Sequence, residues 1–304
     1  MIILVTGGAG FIGSHVVETS IDAGHIVHVA DDLSTGSTHN VSALATFHHV
    51  DIGSDTFREL FGEIRPDAVI HMAAQINVTA SMSNPVFDAE ASIINTIRLL
   101  DLCVVNDVGR FVFASSAAVY GATETIPVDE TFQCKPLSPY GVSKLACEEY
   151  VKLYGRSHGL PFVILRNSNV YGPRQIAQGE CGVCAILTQQ MIRGEIPTLY
   201  GHGNPLRDYI YVDDVAGANL AALTHGDGST LNVSSGEGVS VRVIFDRLKE
   251  FLEFGDEPRL APLRPGEIEN TYLSNQRAIE ALCWNPETNL SDGLRLTVDH
   301  FRTR

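Results

Sequence analysis

The first half of the chain alternates short apolar runs with longer segments of helical periodicity. The apolar runs are strand-sized and fall at Ile2–Val5, Ile26–Ala30, Phe47–Val50, Ala68–His71, Phe111–Ala114 and Phe162–Arg166. Helical patterns separate them at Phe11–Ala23, Asp55–Ile64, Val86–Asn106 and Tyr140–His158. Short apolar strands that alternate with helices predict a parallel sheet covered on both faces. We therefore expect an α/β fold with a Rossmann-type, doubly wound sheet.

Beyond residue 168 this alternation weakens, and loops rich in Gly and Pro appear. Helical patterns remain at Val183–Arg193, Asp214–Leu223, Ser240–Phe254 and Gln276–Leu282. We predict a Rossmann domain over residues 1–168 and a smaller substrate lobe over residues 169–304. The apolar run at Tyr209–Val212 is expected to return to the main sheet, so that a segment near 207–235 is shared between the two units.

Composition and charge disfavour two classes of partner. The net charge of −15 argues against a protein that follows nucleic-acid phosphates, which needs a basic face. No apolar run is long enough to cross a membrane, and the first residues lack the pattern of a signal peptide. Six cysteines in such a chain are expected to be reduced thiols. We therefore expect a cytoplasmic protein.

Three glycines follow the first predicted strand at the spacing of a dinucleotide-binding loop. Gly7 permits the tight turn, Gly10 lets a pyrophosphate approach the backbone, and Gly13 lets helix and strand pack closely. Phe11 and Ile12 open the next helix, whose free N–H groups favour a phosphate. The position of the loop at the first strand-to-helix turn favours dinucleotide binding over a plain tight turn.

An acidic residue ends the second predicted strand, where a carboxylate binds the adenosine ribose. Asp31 holds that position, with Asp32 after it, and the first Lys or Arg of the chain is the distant Arg58. A 2′-phosphate would meet repulsion there, so we expect NAD rather than NADP. Asp51 and Ile52, after the third strand, are candidates to bracket the adenine, and a plain polar strand end explains Asp51 almost equally well.

A tyrosine and a lysine lie four residues apart in a predicted helix that Ser138 and Pro139 open. Tyr140 and Lys144 therefore share one helix face. The pKa of a phenol is about 10, and a neighbouring ammonium favours its phenolate form. Such pairs also arise by chance, and the position of Ser116 is what favours a catalytic site. It ends the fifth predicted strand, at the sheet edge where ligands bind.

Several motifs occur in one order along the chain: TGGAGFIGSH at 6–15, HMAAQ at 71–75, SSAAVYG at 115–121, YGVSK at 140–144, RNSNVYGPR at 166–174, RDYIYVDD at 207–214 and RPGE at 264–267. With these motifs, which cover nearly its whole length, the chain resembles the extended short-chain dehydrogenases of the NAD-dependent epimerase/dehydratase type. The resemblance implies NAD as cofactor, Ala73 among its contacts, and Ser116, Tyr140 and Lys144 as the catalytic trio.

Within that family the chain most resembles UDP-galactose 4-epimerases, whose substrates are UDP-sugars. The resemblance implies Asn169, Arg207 and Arg264 at the diphosphate, Tyr200 at the uracil and Glu267 at a ribose hydroxyl, besides Ser116 at the sugar. Two arginines suit a diphosphate, because each can form forked hydrogen bonds with it.

The residues after Ser116 bear on the reaction. Dehydratases with this scaffold carry an Asp–Glu pair there, whereas this chain has Ala117 and Ala118, whose methyl groups cannot transfer protons. The resemblance then implies epimerisation at C4 of a UDP-hexose. In that reaction the tyrosine removes the 4-hydroxyl proton, and the hydride passes to NAD and returns to the other face of a 4-keto sugar.

The identity of the sugar stays open at this point. UDP-glucose and UDP-galactose are the preferred pair, with UDP-glucuronate or UDP-N-acetylglucosamine as alternatives. The residue that limits the sugar pocket in some relatives aligns with Thr271, or with Tyr272 if the alignment slips by one. Asn167 and Ser92 also depart from the residues common in relatives. A nucleotide-sugar reductase and a non-catalytic NAD-binding protein remain as further alternatives.

Two other features complete the sequence-based expectations. Cys181 and Cys184 have the spacing of a redox or metal pair, but the chain offers no second pair to complete a ligand set, so we expect no metal. Relatives pair through helices such as Val86–Asn106 and Tyr140–His158, and a homodimer is therefore expected.

Overall fold

The computed structural model describes residues 1–123, 125–176, 182–264 and 268–303. Within these residues the strands are β1 Ile2–Thr6, β2 Ile26–Asp31, β3 Thr46–His49, β4 Ala68–His71, β5 Arg110–Ser116, β6 Phe162–Asn167, β7 Asn169–Tyr171, β8 Thr198–Tyr200, β9 Leu206–Arg207, β10 Tyr209–Tyr211, β11 Ser229–Val233, β12 Val239–Ser240 and β13 Arg259–Ala261. The helices are α1 Phe11–Asp22, α2 Asp55–Ile64, α3 Val78–Ser83, α4 Pro85–Ala89, α5 Asn95–Val105, α6 Pro139–His158, α7 Val183–Ile192, α8 Val212–Ala221, α9 Val241–Leu252, α10 Gln276–Leu282 and α11 Leu290–Arg302.

Seven strands form one parallel sheet in the order β11-β6-β5-β4-β1-β2-β3. The order reverses between β1 and β4, because β2 and β3 extend the sheet on one side and β5, β6 and β11 on the other. Such a reversal opens a crevice at the carboxyl ends of the strands, where ligands bind. The Rossmann-type α/β fold predicted from the alternation is confirmed.

Both faces of the sheet are covered by helices. Val17 of α1 and Val215 of α8 pack against one face, and Phe57 of α2, Leu99 of α5 and Val151 of α6 pack against the other. All five side chains are fully buried, and burial of each contributes about 1.5–3 kcal/mol. A sheet buried on both faces explains why its strands are continuous apolar runs.

One strand prediction was wrong. Tyr209–Tyr211 does not join the main sheet, and instead pairs in parallel with Asn169–Tyr171 in a separate two-stranded sheet. Tyr211 packs edge-on against Tyr171, with ring centroids 5.7 Å apart. Within 207–235, the strand that joins the main sheet is Ser229–Val233, beside β6. An apolar run shows that a strand is buried, but it does not identify the strand's partner.

The predicted helix at Val86–Asn106 is also more complex than its pattern indicates. It consists of α4 and α5 joined by a π-helical turn at Glu90–Ile94. The amphipathic helix Leu290–Arg302, begun by the side-chain cap of Asn289, was not predicted at all. In the described ranges, no helix combines the length and apolar character needed to cross a membrane.

Gly13 allows α1 to start directly against the end of β1. A Cβ at this position would lie 2.1 Å from the backbone oxygen of Gly7, which itself has a positive φ of 71°. The contact is with backbone, which cannot move aside as a flexible side chain can. Close packing of helix and strand therefore requires glycine here, as the sequence predicted.

We expect Gly13→Ala to lower the free energy of unfolding by about 1–3 kcal/mol, because the methyl group forces the backbone apart. The control is Gly62→Ala in α2, where an added Cβ has no neighbour within 4 Å. That change should raise stability by roughly 0.5–1 kcal/mol. Urea unfolding of the three proteins measures both effects, and equal stabilities for wild type and Gly13→Ala would contradict the steric argument.

Candidate active site

The glycine loop and the end of β2 are joined by one carboxylate. The N–H of Ala9 donates to Asp31 Oδ2 at 2.9 Å, and the N–H of Leu33 donates to Asp31 Oδ1 at 2.8 Å. Burial raises the pKa of Asp31, and the two backbone donors oppose that shift. Each carboxylate oxygen can still accept a second hydrogen bond. The position and the remaining acceptor capacity suit a ribose hydroxyl.

The other predicted cofactor residues lie along the same crevice in different settings. Phe11 and Ile12 form the first turn of α1 and are half-buried. Asp32 accepts hydrogen bonds from the backbone and hydroxyl of Ser34. The exposed Asp51 caps its own turn by accepting from Gly53 N at 2.8 Å, and this favours the polar strand-end interpretation.

Ile52, beside Asp51, is buried in the layer between the sheet and α2. Ala73 directly abuts the glycine loop, since a Cβ on Gly7 would lie 2.7 Å from its backbone nitrogen. The Ala73 N–H also donates to the Thr6 hydroxyl at 3.3 Å. The segment after β4 is thus fixed against the segment after β1, on the two sides of the crevice.

A buried histidine that the sequence did not single out supports this junction. His71, at the end of β4, lies 2.7 Å through Nδ1 from the Thr6 hydroxyl and 2.9 Å through Nε2 from the Thr96 hydroxyl. Burial lowers its pKa to about 3, and the charge of Lys144 adds to the shift. His71 is therefore a neutral bridge between two strands and a helix.

The Tyr–Lys pair occupies the first turns of α6, as predicted. Ser138 caps the helix by accepting from Gly141 N, and Pro139 stands in its first turn. Lys144 Nζ lies 6.0 Å from the centroid of the Tyr140 ring. Lys144 is 5% exposed, and burial lowers its pKa. A buried cation beside the phenol is the arrangement that favours a phenolate.

Ser116 ends β5, the strand against which α6 packs. Lys144 Nζ donates to the backbone oxygen of Ala114 at 2.8 Å, so the helix is bonded to the strand two residues before Ser116. The Ser116 hydroxyl accepts from Ala118 N, and it begins the short turn that contains Ala117 and Ala118. The three predicted catalytic residues therefore belong to one strand–helix unit at the carboxyl edge of the sheet.

The predicted substrate residues are distributed over the second half of the chain. Asn169 donates through its backbone and its side chain to Asp208 O, at 3.0 and 3.1 Å. The Arg207 guanidinium donates to backbone oxygens of Leu206, Ile268 and Glu269. This arrangement positions the segment after residue 268 beside β9.

Two more predicted substrate residues form one aromatic–cation pair. The Arg264 guanidinium stacks over the Tyr200 ring, with its central carbon 3.8 Å from the ring centroid. Tyr200 is 38% exposed, so part of its surface is open to a ligand. Glu267 lies outside the described residues.

Sequence reasoning missed the residue that joins these segments. The fully buried Asp208 accepts from Ser168 Oγ, from Ser235 N and Oγ, and from Leu273 N, at 2.9–3.1 Å. Its main-chain oxygen also binds Asn169. The only signal in the sequence is a charged residue directly before an aromatic strand.

Thr271 and Tyr272 have different surroundings. The Tyr272 ring packs on Gly238, where an added Cβ would lie 2.7 Å from a ring carbon. Its backbone oxygen accepts from Val128 N, and Thr271 N donates to Leu206 O. The packing on Gly238 accounts for the Tyr272 ring, and the alignment of Thr271 with the pocket residue of relatives stays a prediction.

One member of the cysteine pair, Cys184, lies in the described residues. Cys184 is buried in α7, and burial raises the pKa of its thiol. Cys181 lies outside the described residues. No cluster of three or more His, Cys, Asp or Glu residues suited to a metal occurs in the part of the chain that was searched.

We expect His71 to make the unfolding free energy depend on pH. Its folded pKa of about 3 lies below the unfolded value of 6.5, so its contribution is present above pH 6.5 and is lost as pH falls towards 3. In His71→Gln, the slope between pH 6.5 and 4 should fall by up to about 1.4 kcal/mol per pH unit. His39→Gln, at an exposed histidine, is the control. Equal slopes for wild type and His71→Gln would show that His71 is not held neutral in the folded protein.

Comparison with known proteins agrees with this geometry. The sequence model of the NAD dependent epimerase/dehydratase family matches residues 3–234. The UDP-glucose 4-epimerase of Mycolicibacterium smegmatis is 36% identical over an alignment of 308 residues, which covers 99% of this chain and 98% of that protein.

Solved structures match over the full length as well. The UDP-glucose 4-epimerase of Thermotoga maritima with UDP-glucose has a TM-score of 0.95 at 42% identity, covering 100% of this chain and 99% of that one. The UDP-glucose 4-epimerase of Thermus thermophilus in complex with NAD has a TM-score of 0.93 at 41% identity, covering 99% of each. Sequence and architecture therefore agree from end to end, and the chain belongs to the NAD-dependent epimerase/dehydratase family.

Proposed function

We propose that the protein is a UDP-hexose 4-epimerase that interconverts UDP-glucose and UDP-galactose with NAD as cofactor. The observation that carries the proposal is the strand–helix unit of Ser116, Tyr140 and the buried Lys144 at the carboxyl edge of the sheet. The names of the similar proteins support it, since the three relatives described above are all UDP-glucose 4-epimerases.

The crevice fits NAD. Gly7 and Gly13 let the loop turn tightly between β1 and α1, since a Cβ at either would meet backbone, and Asp31 offers acceptor capacity for the ribose. The carboxylate also disfavours a 2′-phosphate. When bound, NAD supplies a hydride acceptor and donor for C4 of the sugar.

The residues of the chain supply proton transfer and orientation. Lys144 favours the phenolate of Tyr140, which removes the proton of the 4-hydroxyl directly or through Ser116. The sugar becomes a 4-keto sugar, and protonation after reduction of its opposite face gives the epimer. Ala117 and Ala118, in the turn after Ser116, provide no acid or base for dehydration.

The second half of the chain is proposed to hold the UDP moiety. The stacked Arg264 and Tyr200 offer a cation and an aromatic face, which suit a diphosphate and a uracil ring. Arg207 and Asn169 lie on strands joined through Asp208 and are proposed to complete the diphosphate site, with Glu267 at the ribose.

UDP-N-acetylglucosamine is a second candidate substrate, favoured by one observation. If Thr271 lines the sugar pocket, as its alignment with the pocket residue of relatives predicts, its small side chain leaves room for an N-acetyl group. UDP-glucuronate remains an alternative, and its carboxylate would need a cation near the sugar.

We expect the purified protein to convert UDP-glucose to UDP-galactose, because Ser116, Tyr140 and Lys144 can supply the proton transfer and bound NAD the hydride transfer. The test incubates it with UDP-glucose, UDP-N-acetylglucosamine and UDP-glucuronate in turn, with and without NAD, and separates the epimers. Tyr140→Phe should lower turnover by about 10²–10⁴-fold, since the base is lost, while NAD binding is retained. The absence of epimerisation of all three sugars with NAD present would overturn the proposal.

We also propose a homodimer formed through α4–α6, in a protein acting in the cytoplasm. Val86, Phe87 and Ile94 on and beside α4, and Val142 and Leu153 on α6, are 43–65% exposed, a concentration of apolar side chains on neighbouring helices. Such a surface is typical of a subunit interface.

Sedimentation at micromolar concentration should show a species of twice the monomer mass. Leu153→Glu should shift it towards the monomer, because a charge would be buried at the interface. Leu296→Glu, at an exposed leucine of α11, is the control. A wild-type protein that sediments only as a monomer would exclude the dimer.

A further inference from the structure

The helix that carries Tyr140 and Lys144 has a third polar residue on the same face. Glu148 follows Lys144 by four residues, as Lys144 follows Tyr140, and residues at this spacing are neighbours on a helix. The Glu148 side chain is fully buried. The proposed reaction assigns it no role.

Glu148 is bound by three groups. Arg166 donates Nε to Oε1 at 2.8 Å and Nη2 to Oε2 at 2.6 Å, which is a forked ion pair, and Arg166 is itself 4% exposed. The hydroxyl of Ser115 donates to Oε1 at 2.6 Å. Lys152, one turn further along α6, lies 3.6 Å from Oε2.

These bonds fix the register between α6 and the end of β5. Ala114 accepts from Lys144, Ser115 donates to Glu148, and Ser116 is the next residue of the strand. Lys144 and Glu148 thus hold consecutive residues of the strand just before Ser116. Both bonds are buried, and the two together prevent the helix from sliding along the strand.

The same pair affects the charge around Lys144. The groups near its ammonium are the neutral His71 of β4, Cys147 and Tyr140 of α6, and two carboxylates, Asp88 on α4 and Glu148. Burial lowers the pKa of Lys144, and the two carboxylates raise it. Arg166 of β6 and Lys152 lie beyond Glu148. Among these buried groups, Lys144 and Arg166 are balanced by Asp88 and Glu148.

A buried ion pair needs an explanation other than stability. The cost of removing two charges from water often cancels their attraction, and apolar side chains of similar size would stabilise the fold equally well. The pair is therefore better explained by what it positions and by its charge.

We propose that Glu148, paired with Arg166, is a positioning residue for the reaction: it holds Lys144 and Ser116 in register and balances the charge around Lys144. This inference rests on the proposed roles of Ser116, Tyr140 and Lys144. It adds a fourth residue to the strand–helix unit of Ser116, Tyr140 and Lys144, and this residue touches neither substrate nor cofactor.

The test follows the ionisation of Tyr140 without turnover, by ultraviolet absorbance titration of each protein minus its Tyr140→Phe counterpart. Glu148→Gln leaves a buried cation unbalanced, which favours the phenolate, so the titration should shift by about half a unit or more to lower pH. Arg166→Gln leaves the carboxylate unbalanced, so the shift should be to higher pH. Shifts in the same direction for both variants, or no shift, would overturn the inference.

Two neutral changes separate positioning from folding. Ser115→Ala removes one bond to Glu148 without altering charge, and should lower kcat about 3–10-fold with KM and the titration unchanged. Glu149→Gln is the matched control, an exposed glutamate of the same helix, and should change nothing. If Glu148→Gln does not fold, the Arg166→Gln titration and the kcat of Ser115→Ala still test the inference. A wild-type kcat in Ser115→Ala would refute the positioning role.

The proposed function can fail separately from this inference. If the wild-type protein epimerises no UDP-sugar, the proposed function is refuted. The absorbance titrations then still report whether Glu148 and Arg166 affect the ionisation of Tyr140. If the wild-type enzyme is active and the titrations of the Glu148→Gln and Arg166→Gln variants are not shifted, only the inference about Glu148 is refuted.

Discussion

Because the main sheet is parallel and covered by helices on both faces, polar side chains of its strands can reach a ligand only at the ends of the strands. Strands β1, β2, β4 and β5 are mainly apolar, and each of them ends in a polar residue. Thr6, Asp31, His71 and Ser116 are the terminal residues of β1, β2, β4 and β5. The crevice is therefore a consequence of the burial of the sheet, which removes every other place for these groups.

The crevice keeps its shape through polar contacts that are themselves buried. Asp31 holds the glycine loop, His71 joins Thr6 to Thr96, and Lys144 joins α6 to β5. Each such group costs free energy to bury and regains it only when all its partners are in place. These contacts therefore demand one arrangement of strands and helices, whereas apolar packing alone would tolerate several.

In the second half of the chain, a single carboxylate has the corresponding role. Asp208 gathers the ends of β6 and β11 and the segment at Leu273, while its main chain holds Asn169. The groups proposed to bind the UDP moiety come from segments far apart in sequence. Their relative positions depend on this buried hub and on the backbone oxygens that Arg207 binds.

The sequence by itself determined the alternation of strands and helices, the glycine loop with Asp31, and the Tyr140–Lys144 pair. These are local: a helical face follows from a spacing of four, and a tight turn from glycine at a fixed position. Only the tertiary structure decided that Ser229–Val233 rather than Tyr209–Tyr211 completes the sheet, and that Asp208, His71 and Glu148 are buried among specific partners. Strand pairing and buried charge depend on which distant segments meet, and periodicity along one chain carries no information about that.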